Sequence, residues 1–380
     1  MQAVDGNFYG TTSSGGANGG RGGTVYKVTP TGTLTTLYSF CAQPNCTDGN
    51  TPAAGLTQAA DGNFYGTTIG GGATGYGTVF KITPQGTLTT LYSFGPVGGN
   101  EPNARLFEGS DGNFYGTTEF GYGTGIGVGG IFKISPEGDF TSLYAWPCNE
   151  NNCLEGSYST GGLIQAPNGD FHGTAEGGGT DNDGVGFKMT PEGVVTPLFD
   201  FESVDGSDPN AWGPVLLATN NIFYGVTAKG GANGWGTIFS ITSAGKLTTL
   251  YNFCSQANCS DGALAVEGLI QATNGNFYGT TYGGGVGSYG TFFSLTSGLG
   301  PFVETLLTSG RVGAEVVILG NNLAGASSVS FNGASAAYTI LSNTAIRTTV
   351  PVGATTGFVA VITPSGTLTS NKTFRVIQSF

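Results

Sequence analysis

The run GGGTDNDG places Asp181, Asn182 and Asp183 in one turn, and three side-chain oxygen donors so close together are a means of holding Ca2+. The other ligand positions of a calcium loop are absent, so an ordinary polar turn is the competing reading, and no other cofactor is indicated. His172 is the single histidine, and it stands where similar segments carry Tyr9, Tyr65, Tyr115, Tyr224 and Tyr278. A ring in place of rings reads as structural rather than as a general base. Lys27, Lys81, Lys133 and Lys188 also recur at matched places, with Ser240 and Ser294 in the last two copies, which reads as architecture. Carboxylates are then the only groups left for catalysis, and no two of them stand out as a pair across a channel. The glycine runs lack the Lys and Ser/Thr of a phosphate loop and occur in every copy, so they do not read as nucleotide sites.

Rings offer a different chemistry. Tyr76, Trp235 and Tyr289 fill one slot before Gly-Thr, flanked by glycines that cannot bury them locally. Such rings either stack on sugars or cover a neighbouring unit. The six cysteines form three C-x4-C pairs: Cys41 and Cys46, Cys148 and Cys153, Cys254 and Cys259. Local pairs beside a single histidine suit disulfides better than zinc and imply an oxidising compartment. Closing so short a loop stabilises by only about 2 kcal/mol, so these links pin loops rather than hold the fold. Asn45, Asn258 and Asn371 each begin an Asn-x-Ser/Thr acceptor for a glycan, the first two inside cysteine loops.

The elements that must position these residues come from internal repetition. Phe8, Phe64, Phe114, Phe171, Phe223 and Phe277 recur at intervals of 56, 50, 57, 52 and 54 residues. The second copy reads GLTQAA, DGN, FYGTT, a glycine loop, TVFKIT, PQGT, then LTTLYSF. Four short runs rich in Thr, Val, Phe, Tyr and Leu are thus separated by tight-turn residues, which predicts a four-stranded antiparallel meander. Runs apolar on both faces suit sheets packed between neighbours, as in a propeller. The expectation is an all-β chain: a six-bladed β-propeller of four-stranded blades over residues 1–300, then an immunoglobulin-like β-sandwich over 301–380. Six copies of each strand type are expected, with residues 1–4 closing the ring as Gln2 to Val4 pair with the blade that contains Thr291–Leu295.

The motif chain DGNFYGTT…GGG…GYGTVFKITPQGTLTTLYSF resembles the Gloeo/Verruco-type tandem repeat of secreted bacterial proteins. That resemblance implies export and brings no catalytic residues. The segments GAEVVILGNNLAGASSVSFNGASA and VPVGATTGFVAVITPSGTLTSNKTFRV resemble the IPT/TIG immunoglobulin-like domain, which implies a spacer or contact module.

Only 9% of residues are charged, the net charge is −12, and 12 Lys and Arg are thinly spread. Nucleic acid and anionic membrane both need clustered cations and are excluded as partners. No apolar run is long enough to span a bilayer, so membrane insertion is not expected. A start without basic and apolar signal regions makes the chain a processed form or a fragment if it is secreted. Together these features lead to a non-enzymatic extracellular or cell-surface structural protein, a homo-oligomer that assembles into filaments through propeller–sandwich contacts. The alternative is a module that binds polysaccharide through Tyr76, Trp235 and Tyr289. A carbohydrate-active lyase or hydrolase ranks last, for want of a carboxylate pair.

Overall fold

The Asp-Gly-Asn turn explains why each repeat begins where it does. Asp61 accepts hydrogen bonds from the Asn63 backbone N–H (2.9 Å) and side chain (2.7 Å), and Gly62 takes the left-handed φ of 81° that the turn requires. The same carboxylate accepts the Tyr65 hydroxyl at 2.9 Å, so turn and strand are fixed together. Asp5 with Tyr9 and Asp111 with Tyr115 repeat the arrangement, while Asn220 donates to Tyr224.

The structure is a computed structural model that describes residues 1–20, 22–96, 99–121, 128–148, 153–209 and 215–377. The chain is all-β, and its repeats form antiparallel sheets consistent with a propeller, followed by a sandwich. In the second repeat the order is Thr57–Gln58, Phe64–Thr68, Thr78–Ile82 and Leu88–Ser93, each strand pairing with the next. Gly66 lies where a Cβ would come within 2.6 Å of the Phe80 ring, so the glycine of the FYGTT strand makes room for the third strand's aromatic ring.

One contact joins sheet to sheet. The ring after each recurrent Phe stacks on the Phe of the following repeat: Tyr9 on Phe64, Tyr65 on Phe114, Tyr115 on Phe171, His172 on Phe223 and Tyr224 on Phe277, at centroid distances of 4.0 to 4.3 Å. Phe64, Phe114, Phe171, Phe223 and Phe277 are 0–3% exposed, whereas Phe8 is 44% exposed. Tyr278 stacks instead on Phe292 of its own sheet. Among the described residues no ring pair joins the sixth repeat to the first.

Two expectations are corrected here. Gln2 bridges Phe8 within its own sheet and the Val4 N–H donates to Gln58 of the next, so Gln2 to Val4 do not pair with the sheet that contains Thr291–Leu295. Their spacing ahead of Phe8 is that of Gln58 ahead of Phe64, and the local turn captures them first. The sixth repeat also has three strands rather than the four expected, Ile270–Gln271, Phe277–Thr281 and Thr291–Leu295, and the next strand, Glu304–Thr305, pairs with Glu315–Leu319 of the sandwich.

The sandwich packs one sheet containing Glu315–Leu319 and Ala345–Thr349 on another containing Gly357–Thr363 and Gly366–Ile377. Val316, Ile318, Phe331, Ile346, Val359, Val361 and Phe374 fill its core. It docks on the repeats through Arg375, which is 2.8 Å from the Glu108 carboxylate, and through Asn321, which donates to the Thr273 hydroxyl. Burial raises the pKa of Glu108 above the usual carboxylate value, and the Arg375 charge opposes that rise. Proton binding to Glu108 therefore favours the docked state at low pH, and this contribution is lost as the pH rises through the folded-state pKa. Arg375→Ala should lower stability by about 2 kcal/mol at pH 7, and by less at pH 4 where Glu108 is neutral. Thermal melts at the two pH values check this.

Candidate functional site

The short inner strands of the repeats are entered by loops that approach one another, and a cavity of about 1590 Å³ runs along them to the sandwich. Many entry positions carry small residues. Three charged residues stand among the exceptions. Arg105 stands where Gly55, Gly162 and Gly268 stand in other repeats, and Glu267 stands where Ala54, Ala104 and Gly161 stand. Glu119, just past its FYGTT strand, shares its slot with Glu176 of the fourth repeat and stands where Ser13, Ile69, Ala228 and Tyr282 stand in the others. All three line the cavity, with Asn103 from the repeats and Glu304 and Lys372 from the sandwich.

Backbone geometry holds this group in place. Glu101 and Leu264 adopt left-handed φ values of 53° and 57°, which side chains other than glycine rarely take. The Glu101 N–H donates to the Tyr76 carbonyl at 3.2 Å, and the Leu264 N–H to the Trp235 carbonyl at 3.0 Å. The Glu101 carbonyl in turn accepts the Glu119 N–H. Thr51 and Tyr158 take the same left-handed φ of 54° and donate to the Gly22 and Val128 carbonyls, so this is a recurring joint between neighbouring repeats. At Glu101 the joint links the Tyr76 backbone to that of Glu119.

Electrostatics separate the acids from ordinary surface carboxylates. The pKa of Glu119 is raised by burial first and then by the nearby Glu101 charge, against the pull of a 2.7 Å hydrogen bond from Asn103 Nδ2. The Asn103 Oδ1 is buried without a hydrogen-bond partner and so leaves an acceptor unused beside Glu119. Glu267 is raised by burial alone. Water reaches Glu267 and Arg105, yet protein surrounds both, as for side chains inside a channel. Arg105 Nε donates to the Thr57 hydroxyl at 3.1 Å, and the charge of Glu304 acts on it. The site therefore offers carboxyls biased toward the protonated form, a fixed guanidinium and amide groups.

The residues singled out from sequence fall elsewhere. Tyr76, Trp235 and Tyr289 are 38%, 45% and 93% exposed, and the first two flank the loops that carry the cavity residues. Cys41–Cys46, Cys148–Cys153 and Cys254–Cys259 are each disulfide-bonded. Asn45 and Asn258 are exposed, whereas Asn371 is half-buried and lines the cavity. Asp183 accepts the Ser203 hydroxyl and Asp181 is exposed. Among the described residues no three His, Cys, Asp or Glu side chains gather in a way that could hold a metal ion.

His172 is 5% exposed, stacked on Phe223, and burial pushes its pKa down to about 4, with Lys188 opposite adding to the shift. Because the folded state disfavours the proton, stability is lost as the pH falls from about 6.5 toward 4. His172→Tyr, with its hydroxyl beside Asn168 as Tyr224 lies beside Asn220, should remove most of that loss, about 2–3 kcal/mol by pH 4. Denaturant titrations at pH 7 and 4 measure it.

The Gloeobacter/Verrucomicrobia repeat family matches residues 1–153 and 159–318, and the IPT/TIG domain matches residues 301–376. No curated protein matches the chain in sequence. Among solved structures it is similar to a protein from Bacteroides fragilis described as a 6-phosphogluconolactonase, at 14% identity and TM-score 0.44, covering 94% of this chain and 87% of that one. It is also similar to the Penicillium chrysogenum α-L-arabinanase, solved with arabinobiose, at 12% identity and TM-score 0.44, covering 77% and 90%. The expectation of a non-enzymatic structural protein that forms filaments is withdrawn on the lining of the cavity. The ground for ranking an enzyme last, the want of carboxylates that share a channel, does not hold, because Glu119, Glu267 and Glu304 line one cavity.

Proposed function

The chain belongs to the Gloeobacter/Verrucomicrobia repeat family and ends in an IPT/TIG domain, and on that premise we propose that it is an extracellular carbohydrate hydrolase working in its central cavity. The repeats supply propeller blades around that cavity, and Glu304 and Lys372 of the sandwich complete its lining. The observation that carries the reading is a single cavity lined by Glu119 and Glu267, both with raised proton affinity, together with Arg105. Glycosidic cleavage needs one carboxyl that donates a proton to the leaving oxygen and a second that assists on the other side of the bond. Glu119 is the donor, because burial and Glu101 keep it protonated at higher pH than a free carboxyl. Glu267 is the second carboxyl, and Arg105 with Asn103 orients the hydroxyl groups of the substrate.

Tyr76 and Trp235, tied to the same loops, supply stacking surfaces for sugar rings outside the cavity, and Tyr289 extends that rim. The substrate is then a polysaccharide rather than a free monosaccharide. The three disulfides support an oxidising, extracellular setting. The test is hydrolysis of a panel of alkyl and aryl glycosides by the wild type, Glu119→Gln and Glu267→Gln. Activity in the wild type that both substitutions remove supports the reading, and equal activity in all three overturns it.

A further inference from the structure

Thr291–Leu295, the third strand of the sixth repeat, is a sheet edge that its five counterparts do not have. In the other repeats the third strand pairs antiparallel with an outer strand, as Thr24–Val28 does with Leu34–Ser39 and Thr78–Ile82 with Leu88–Ser93. All five pairings share one register, with the bulge at the same place. Among the described residues nothing pairs with the outer side of Thr291–Leu295.

The side chains show what is missing. Val25, Val79, Ile131 and Ile238 hold the second position of this strand and are 0–2% exposed, and each faces a tyrosine of the outer strand: Tyr38, Tyr92, Tyr144 and Tyr251. Phe292 holds the same position and is 72% exposed. The sequence TFFSL also carries no charge and no proline, the usual means of keeping an open edge from pairing. Lysine fills the fourth position in four of the counterparts, and here it is Ser294.

We propose that this edge is a docking site for one extended peptide segment with the repeat's own outer-strand pattern, Leu-Thr-Thr-Leu-Tyr-Ser. The segment adds antiparallel to Thr291–Leu295 and lays its tyrosine over Phe292. Main-chain hydrogen bonds supply affinity, and the ring pair sets the register, as in other cases of strand addition. The argument is one of continuity: the molecule makes this interface five times, and here presents half of it. It does not depend on the catalytic reading.

The probe is a synthetic peptide of residues 85–95, QGTLTTLYSFG, titrated into the full chain. One peptide should bind per chain and slow amide hydrogen exchange across 291–295. Tyr92→Ala in the peptide, which leaves the protein untouched, and Phe292→Asp in the protein should each weaken binding at least tenfold. A scrambled peptide that binds equally well overturns the proposal. So does an edge already protected in a concentration-dependent dimer, which would give the site to a second copy of the chain.

Discussion

Phe114→Ala should cost about 3–5 kcal/mol of stability, whereas Phe8→Ala, at the same place in the repeat, should cost less than about 1 kcal/mol. Phe114 is fully buried between two sheets and stacked on Tyr65 at 4.0 Å. Removing its ring deletes the burial, the ring pair and the packing of Leu106 and Phe132 in the same cluster. Phe8 is nearly half exposed, and among the described residues no ring of another sheet stacks on it. A repeat protein loses stability interface by interface, so the two substitutions sample one formed junction and one unformed junction. Denaturant midpoints measure the difference. Equal losses would mean that the sixth repeat closes on the first in solution and that Phe8 is buried there.

That contrast also marks how far the fold can be read from the sequence. The recurrent NFYG motif and its turns give strand order and the all-β class, because Asp-Gly and Pro-x-Gly have few alternatives to a tight turn. The same motif could not show that its tyrosine is tied back to the turn aspartate, or that the ring and the following Phe belong to different sheets. The first is a side-chain contact within one turn, and the second joins residues about 50 apart in the chain. Residues 1–4 and the sixth outer strand were misplaced for a common reason: a matched sequence fixes local pairing, while ring closure depends on which distant edges meet. The cavity acids were harder still. Arg105 and Glu119 come from the third repeat and Glu267 from the sixth. Arg105 and Glu267 are visible as charged side chains at positions that other repeats keep uncharged, whereas Glu119 is not, because Glu176 holds the same slot in the fourth repeat.

Glu119→Gln should lower kcat/KM on alkyl glycosides by about 10²–10⁴-fold, the range expected when a proton donor is lost. The loss should be smaller on nitrophenyl glycosides, whose leaving group departs without protonation. A merely structural role for Glu119 would depress both substrates alike. The pH profile separates the roles further. A donor acts in its protonated form, so the rate is retained below the raised pKa of Glu119 and falls as the pH rises through it. Glu101 contributes to that elevation from the adjoining strained loop, second only to burial. Glu101→Gln should therefore move the falling limb to lower pH while leaving the acid-side plateau in place, since it removes a charge without removing the donor. Asn103→Ala should move the limb the other way, because its hydrogen bond stabilises the ionised carboxylate. Opposite displacements from two neighbours of one carboxyl are the signature of a titrating donor, and a profile indifferent to both would remove Glu119 from the reaction.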